Sequence, residues 1–261
     1  MPMLTMSDGA AINYQLDGEA GLPPLVLSNS LGSTIDMWDW QIPALTKQFR
    51  VLRYDNRGHG ASDVPEGPYT LERIARDAQE LIEGLALGPV AFCGLSLGGM
   101  VGMWLAANAP QLVKRAVFAN TSAYFGQPEV WNQRIAQVET EGMQAAAEGT
   151  IQRWLTKDFM NNDPAATAKM LAMIAGIPPE GYIAAAAAVR DMDLRGSLAK
   201  IACPVLVIAG ALDPSTPPAM GEAIVDGISN ARLAILDCEH LSNVEKADEF
   251  NSLVARFLAK A

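Results

Sequence analysis

The chain has 261 residues, 50% of them hydrophobic and 18% charged, with a formal net charge of −10 and only two histidines. That composition is globular and excludes disorder, collagen and coiled coil; the length suits one large domain, or a core of roughly 200 residues carrying an insert. The negative charge argues against a nucleic-acid backbone or an anionic membrane as partner, and the histidine count leaves only His59 and His240 to own any imidazole chemistry.

Met1 to Gly9 has neither a basic stretch nor an apolar core, so no signal peptide is expected. Alternation from Ala11 to Leu16 predicts an antiparallel hairpin at a sheet edge. Strands are expected at 22–28 (LPPLVLS) and 49–55 (FRVLRYD), with an amphipathic stretch at 36–48 between them. From Thr70, a candidate N-cap, apolar residues at Leu71, Ile74, Ala75, Ala78, Leu81 and Ile82 predict a one-faced helix that ends near Gly84. The stretch from Gly84 to Ala107 carries no charge and is long enough to mimic a membrane span. Its many glycines and Pro89 instead favour two buried elements joined by a turn. Further strands are expected at 89–95, 115–121, 204–210 and 231–237, mostly continuous apolar runs of the kind buried on both faces by crossover helices.

Between Ser122 and Lys200 the alternation stops. This Ala- and Met-rich segment predicts helices near 128–148, 150–160, 164–175 and 180–190. The expected fold is therefore α/β, a mostly parallel sheet with flanking helices. Residues 1–121 and 201–261 form its core, and 122–200 an inserted helical cap. Cap methionines Met143, Met160, Met170 and Met173 are expected to pack rather than to line a site. Cys93, Cys203 and Cys238 are odd in number and lack CxxC spacing. Neither a disulfide framework nor a zinc site is expected, and a reducing, cytoplasmic setting fits.

Gly94-Leu95-Ser96-Leu97-Gly98 matches G-x-S-x-G, between an expected strand and a helix of about 97–109. By itself the match could be a packing turn whose serine caps a helix; the strand-turn-helix context is that of an exposed nucleophile. A serine needs a base. His240 follows the last strand and precedes Ser242-Asn-Val-Glu245, which reads as a capping box opening the final helix. His59, between Gly58 and Gly60, reads as a turn residue, with Arg57 bracing beside it. Asp213, after the strand 204–210, is the best-placed carboxylate to orient His240, and Thr216 and Pro217 after it are able to start a helix. Asp237 and Glu239 are too close in sequence to His240, and Asn120 carries no charge. The catalytic candidates are thus Ser96, Asp213 and His240. Oxyanion donors are expected from the N–H groups of Leu97 and Leu31, with Gly32 giving room for substrate and Asn29 and Ser30 as candidates to brace the loop.

With SNSLGS (28–33), RYDNRGHGASD (53–63), CGLSLGGMVGMWLA (93–106), ANTSAYFG (119–126), RDMDLR (190–195) and AGALDPSTPP (209–218), the chain resembles the α/β-hydrolase superfamily over essentially its whole length. Within it, the chain is most similar to the 3-oxoadipate enol-lactonases of the β-ketoadipate pathway. The resemblance implies ester hydrolysis without metal or organic cofactor, on a small anionic lactone as substrate. An anionic substrate needs a cation in an acidic protein. Trp131 and Arg134, three apart on one helical face, are the candidate substrate-binding pair, with Arg57, Arg190 and Arg195 as rivals. Two other readings stay open: a general carboxylesterase or other capped hydrolase acting on a neutral ester, and a hydrolase-fold binding protein without turnover.

Overall fold

The computed structural model describes residues 2–259. The strands are β1 (Met3–Thr5), β2 (Ala11–Asp17), β3 (Pro24–Ser28), β4 (Arg50–Tyr54), β5 (Val90–Leu95), β6 (Val113–Ala119), β7 (Val205–Gly210) and β8 (Ala231–Leu236). They form one sheet in the order β1-β2-β4-β3-β5-β6-β7-β8. β1 and β2 make the expected edge hairpin, β2 pairs antiparallel with β4, and every pairing from β4 through β8 is parallel. β5 and β7 are buried along their whole length, which is why their sequences are uninterrupted apolar runs instead of alternating ones.

The helices are α1 (Ile42–Leu45), α2 (Leu71–Gly84), α3 (Leu97–Asn108), α4 (Pro128–Trp154), α5 (Lys157–Asn162), α6 (Pro164–Ala175), α7 (Pro179–Asp191), α8 (Pro218–Gly227), α9 (Ser242–Glu245) and α10 (Ala247–Leu258). α2 starts where predicted: the Thr70 hydroxyl accepts from the Arg73 N–H at 3.1 Å. Its buried face runs Leu71, Ile74, Ala75, Ala78, Leu81, Ile82. The uncharged stretch from Gly84 to Ala107 divides into the end of α2, strand β5 and most of α3. Among the described residues no single helix is long and apolar enough to cross a membrane.

The amphipathic stretch 36–48 resolves into a 3-10 turn, Ile35–Trp38, followed by the one-turn α1, whose second residue is Pro43. A proline there starts a helix and cannot continue one. The break expected near residue 149 lies instead at Gly142, where φ 77° and ψ 177° interrupt α4. Gly149 stays helical. Positive φ costs a side-chain-bearing residue sterically, so the fold bends where glycine is required.

α4 to α7 lie between β6 and β7 in sequence, and α4 packs on both α6 and α7. The chain enters and leaves this helical segment side by side. Tyr124 and Asp193 form an isolated bridge, and the Leu194 N–H donates to the Ala123 carbonyl at 2.8 Å.

One buried ion pair ties α2 to the turn after β4. Arg57 Nε and Nη2 donate to the two Asp77 carboxylate oxygens at 2.6 and 2.7 Å, and Arg57 Nη2 also reaches Asp8 at 2.8 Å. Removing Asp77 would leave the buried Arg57 charge with only the half-exposed Asp8, and take a partner from Arg73 as well. Asp77→Ala is expected to cost about 3–5 kcal/mol, read as a lower urea midpoint at unchanged m-value. A loss below about 1 kcal/mol would show that the pair contributes no more than a surface one.

Candidate active site

The functional candidates gather at the carboxyl ends of the parallel strands, where an open α/β sheet leaves a crevice. Ser96 follows β5, Asn120 follows β6, Asp213 follows β7 and His240 follows β8. Ser96 stands at φ 56°, ψ −116°, between the last residue of β5 and the first of α3. That reversal is tight enough that a β-carbon at Gly94 would collide with the Gly98 carbonyl, and one at Gly98 with the Ser28 carbonyl. Both outer glycines of G-x-S-x-G are therefore fixed by backbone contact. The Thr121 hydroxyl donates to the Ser96 carbonyl at 2.7 Å, which ties the turn to the end of β6.

His240 is 3% exposed, and its Nδ1 lies 2.8 Å from Asp213 Oδ2. Asp213 is a dedicated acceptor. Its Oδ1 takes the backbone N–H groups of Ser215 (2.8 Å) and Thr216 (3.0 Å), and its Oδ2 also takes the Thr216 hydroxyl (2.6 Å) and the Asn120 amide (3.1 Å). Burial would push this carboxyl up. The facing His240 ring and the Thr216 donors outweigh it and hold the group well below the usual carboxylate range. Thr216 thus serves the carboxylate, and the helix expected to start at Thr216 or Pro217 begins at Pro218.

The capping box is also corrected. Ser242 Oγ does not cap α9; it donates to Asn120 Oδ1 at 2.6 Å and so fixes which end of the Asn120 amide faces Asp213. Glu245 accepts from the Glu239 N–H at 3.2 Å and from the Thr156 hydroxyl. Tertiary partners outcompete the local cap. The effect is to clamp the His240 loop between β6 and the end of α4, where the Leu241 N–H also donates to the Trp154 carbonyl at 2.9 Å.

Ser96 and His240 line the same cavity, of about 300 Å³, without a closed hydrogen bond between them. Such contacts commonly tighten only when substrate binds. Since Nδ1 is engaged by Asp213, Nε2 is the nitrogen left for the serine. Leu31 lines this cavity too, and Leu97 is the fully buried first residue of α3, so its N–H is one of the unpaired donors at a helix start. Asn29 braces the Leu31 loop by donating to the Tyr54 carbonyl (2.7 Å) and accepting from Trp38 Nε1 (2.8 Å).

His59 does more than shape its own turn. Fully buried, it bonds the Arg57 carbonyl through Nδ1 at 3.1 Å and accepts the Gly32 N–H at Nε2 at 3.0 Å. Nε2 can accept only when it carries no proton. Burial, partly opposed by the Arg57 carbonyl, pushes the ring's pKa down to about 4 from 6.5. The neutral ring thus holds the residue beside Leu31. A histidine depressed on folding contributes stability that is complete above about 6.5 and lost as pH falls toward about 4, roughly 3 kcal/mol in all. Between pH 7 and 4 the wild type should lose about that much relative to His59→Gln, measured by urea unfolding. His59→Leu should lower kcat about 10- to 100-fold, short of losing an oxyanion donor outright, and His59→Gln should recover part of it. Equal kcat in wild type and His59→Leu would separate this ring from the reaction.

The roof comes from the helical segment. Trp131 is buried, meets Phe125 edge-on at 5.3 Å between centroids, and carries the Arg134 guanidinium 4.6 Å from its ring centre. Trp131 and Arg134 both line the cavity, as do Arg153, Trp154 and Tyr182. The rival arginines are elsewhere engaged: Arg57 with Asp77, Arg190 with Asp191, Arg195 with Asp193. Nothing in the sequence singles out Arg153, because a long Ala-rich helical stretch does not mark which arginine faces inward. Of the methionines between β6 and β7 singled out in the sequence, Met143 and Met170 are in the core and Met160 and Met173 pack against it. All three cysteines are free. Among the described residues no cluster of three or more His, Cys, Asp or Glu is arranged to hold a metal ion.

Comparison with known proteins matches residues 23–247 to the family described as alpha/beta hydrolase fold. The chain is 38% identical to 3-oxoadipate enol-lactonase 2 of Acinetobacter baylyi, over 96% of this chain and 94% of that one. Among solved structures, the enol-lactonase from Burkholderia xenovorans LB400 superposes with a TM-score of 0.97 at 41% identity, covering 99% of this chain and 100% of the other. A thermophilic esterase from Thermogutta terrifontis, solved with malate bound, superposes with a TM-score of 0.92 at 29% identity, over 99% and 98% of the two chains.

Proposed function

The chain belongs to the alpha/beta hydrolase fold family and is a hydrolase, and from that premise we propose that it opens 3-oxoadipate enol-lactone to 3-oxoadipate, a step of the β-ketoadipate route of aromatic breakdown. In this reading Ser96 Oγ attacks the lactone carbonyl as His240 Nε2 takes its proton, with Asp213 fixing the ring tautomer and stabilising the imidazolium. The carbonyl oxygen becomes an oxyanion held by the N–H groups of Leu31 and Leu97. Collapse breaks the ring C–O bond, and His240 returns the proton to the departing enol oxygen, leaving an acyl-enzyme. The enol tautomerises to a ketone, so the reverse closure loses its nucleophile. Because the leaving group stays tethered, it swings aside before water enters. His240 then takes a proton from that water as it attacks the acyl carbon, and in the second collapse the C–Oγ bond breaks as His240 returns the proton to Ser96 Oγ, freeing the product acid.

The proposed division of the chain is a hydrolase core, 1–121 and 201–261, and a cap, 122–200. The substrate's carboxylate is assigned to Arg134, stacked on Trp131, which lies along the ring. The observation that carries the reading is a single cavity joining Ser96 and the Asp213-bound His240 to this Trp131–Arg134 stack. Its volume is at the small end for small-molecule sites and matches a compact lactone. Relatives named enol-lactonase along nearly the whole chain support the same substrate.

The test is turnover by purified enzyme, followed as loss of enol-lactone absorbance beside 4-nitrophenyl acetate hydrolysis. A kcat/KM for the lactone well above that for the neutral acetate is expected. Preference for the acetate would favour a general carboxylesterase, and absence of both activities with no fluorophosphonate labelling of Ser96 would favour a binding protein.

A further inference from the structure

Six arginines of this acidic chain, Arg53, Arg57, Arg73, Arg76, Arg190 and Arg195, sit against aspartate or glutamate. The two that line the cavity do not: among the described residues neither Arg134 nor Arg153 has an acidic partner. Arg134 is satisfied by the face of Trp131, and Arg153 has one long bond, from Nη2 to the Thr150 hydroxyl at 3.3 Å. Thr150 in turn donates to the Ala146 carbonyl at 2.8 Å, so it offers a lone pair and no charge. Burial and the charge of Arg134 both push the Arg153 pKa down, so the free protein holds two like charges together in partial desolvation. An arrangement that is unfavourable without ligand becomes favourable when an anion is placed between the two.

Their convergence is not a trivial consequence of sharing α4. In a straight helix the two positions would be about 28 Å apart, too far to line one small cavity. The bend at Gly142 brings the limb carrying Arg134 and the limb carrying Arg153 to the same space, with Tyr182 of α7 beside both.

We propose that Arg153 is a second specificity-determining cation, which with Arg134 forms a two-arginine site for the carboxylate of an anionic ester and for the dicarboxylate that its hydrolysis yields. It rests on the reading of Ser96 as nucleophile of an ester hydrolase, but not on the ester being a lactone. Hydrolysis of a carboxylate-bearing ester adds a second negative charge to the product, so the site that selects the substrate also retains the product. Aliphatic dicarboxylates of similar length are then competitive inhibitors.

The experiment compares wild type, Arg153→Gln and Arg153→Lys on mono-4-nitrophenyl succinate, on neutral 4-nitrophenyl butyrate and on the enol-lactone. Thermal melts are run with and without adipate. Arg153→Gln should raise KM for the succinate ester about 10- to 100-fold with kcat within a few-fold, and leave the butyrate ester unchanged. Arg153→Lys should fall between, keeping charge but losing the paired donors. Adipate should raise the melting temperature of wild type and not that of Arg153→Gln, whose ligand-free melting temperature should equal or exceed the wild type's. Equal effects on both esters, an undiminished adipate shift, or a lowered ligand-free melting temperature would each overturn the proposal and assign Arg153 to packing. If wild type discriminates between the esters through Arg153 yet ignores the enol-lactone, the lactone reading fails and the arginine pair stands. If it turns over the lactone and Arg153→Gln does so equally well, the reverse holds.

Discussion

Ser96→Ala is expected to lower kcat for the enol-lactone by about 10⁶-fold while leaving the fold intact. The side chain of Ser96 closes no hydrogen bond to His240, and alanine meets the same backbone demand at φ 56° that serine already meets, so the substitution removes chemistry without removing support. What remains would come from the backbone donors of Leu31 and Leu97 and from binding, which retain a part of the rate enhancement in hydrolases stripped of their nucleophile. The measurement is lactone loss at high enzyme concentration, with circular dichroism to check the fold and fluorophosphonate labelling to check the serine. Retention of more than about 1% of wild-type kcat would rule out Ser96 as the attacking group.

Asp213→Asn should cost about 10⁴-fold in kcat with the fold retained. Every partner of the carboxylate in this structure donates: two backbone N–H groups, the Thr216 hydroxyl, the Asn120 amide and the His240 ring. An amide has one acceptor oxygen, so its NH₂ end meets donors and can be relieved only by turning the imidazole to the wrong tautomer. The stability effect has a defined sign. The folded-state pKa of Asp213 lies below the unfolded value of 3.8, so its contribution is complete above that value and lost as pH falls toward the folded pKa. The stability gap between wild type and Asp213→Asn should therefore be largest near neutrality and narrow below about pH 4, in paired urea titrations. A gap that widened in acid would mean that the carboxylate is held protonated.

Ser96 and Asp213 are legible because they stand just past β5 and β7, strands buried on both faces that announce themselves as apolar runs, whereas His240 follows the partly exposed edge strand β8. The count of two histidines then removes most of the choice. Where the sequence misleads, a local pattern is honoured locally and overridden in three dimensions. Ser242 and Glu245 have capping-box spacing, yet Asn120 and Thr156, far away in sequence, and the Glu239 N–H of the preceding loop claim them. Gly149 and Gly142 are equivalent in a propensity reading, and only the tertiary path decides which one takes positive φ. Arg153 stays hidden for that reason: which face of α4 meets the cavity after the bend cannot be assigned until the bend is located. His59 is visible as a residue between glycines, but its acceptor role depends on Gly32, which parallel pairing of β3 and β4 brings alongside.

The bend in α4 also turns a distance into an angle. Arg153 lies about 16 Å along its limb from Gly142, so a rotation of about 10° at that one residue displaces the guanidinium by about 3 Å. Beyond its own stretch of chain, no atom lies within 4 Å of the position a Gly142 β-carbon would take, so positive φ, not crowding, is what calls for glycine there. That same limb ends at Trp154, whose carbonyl accepts the Leu241 N–H beside His240, so the angle at one glycine sets the position of Arg153 and of the His240 loop together.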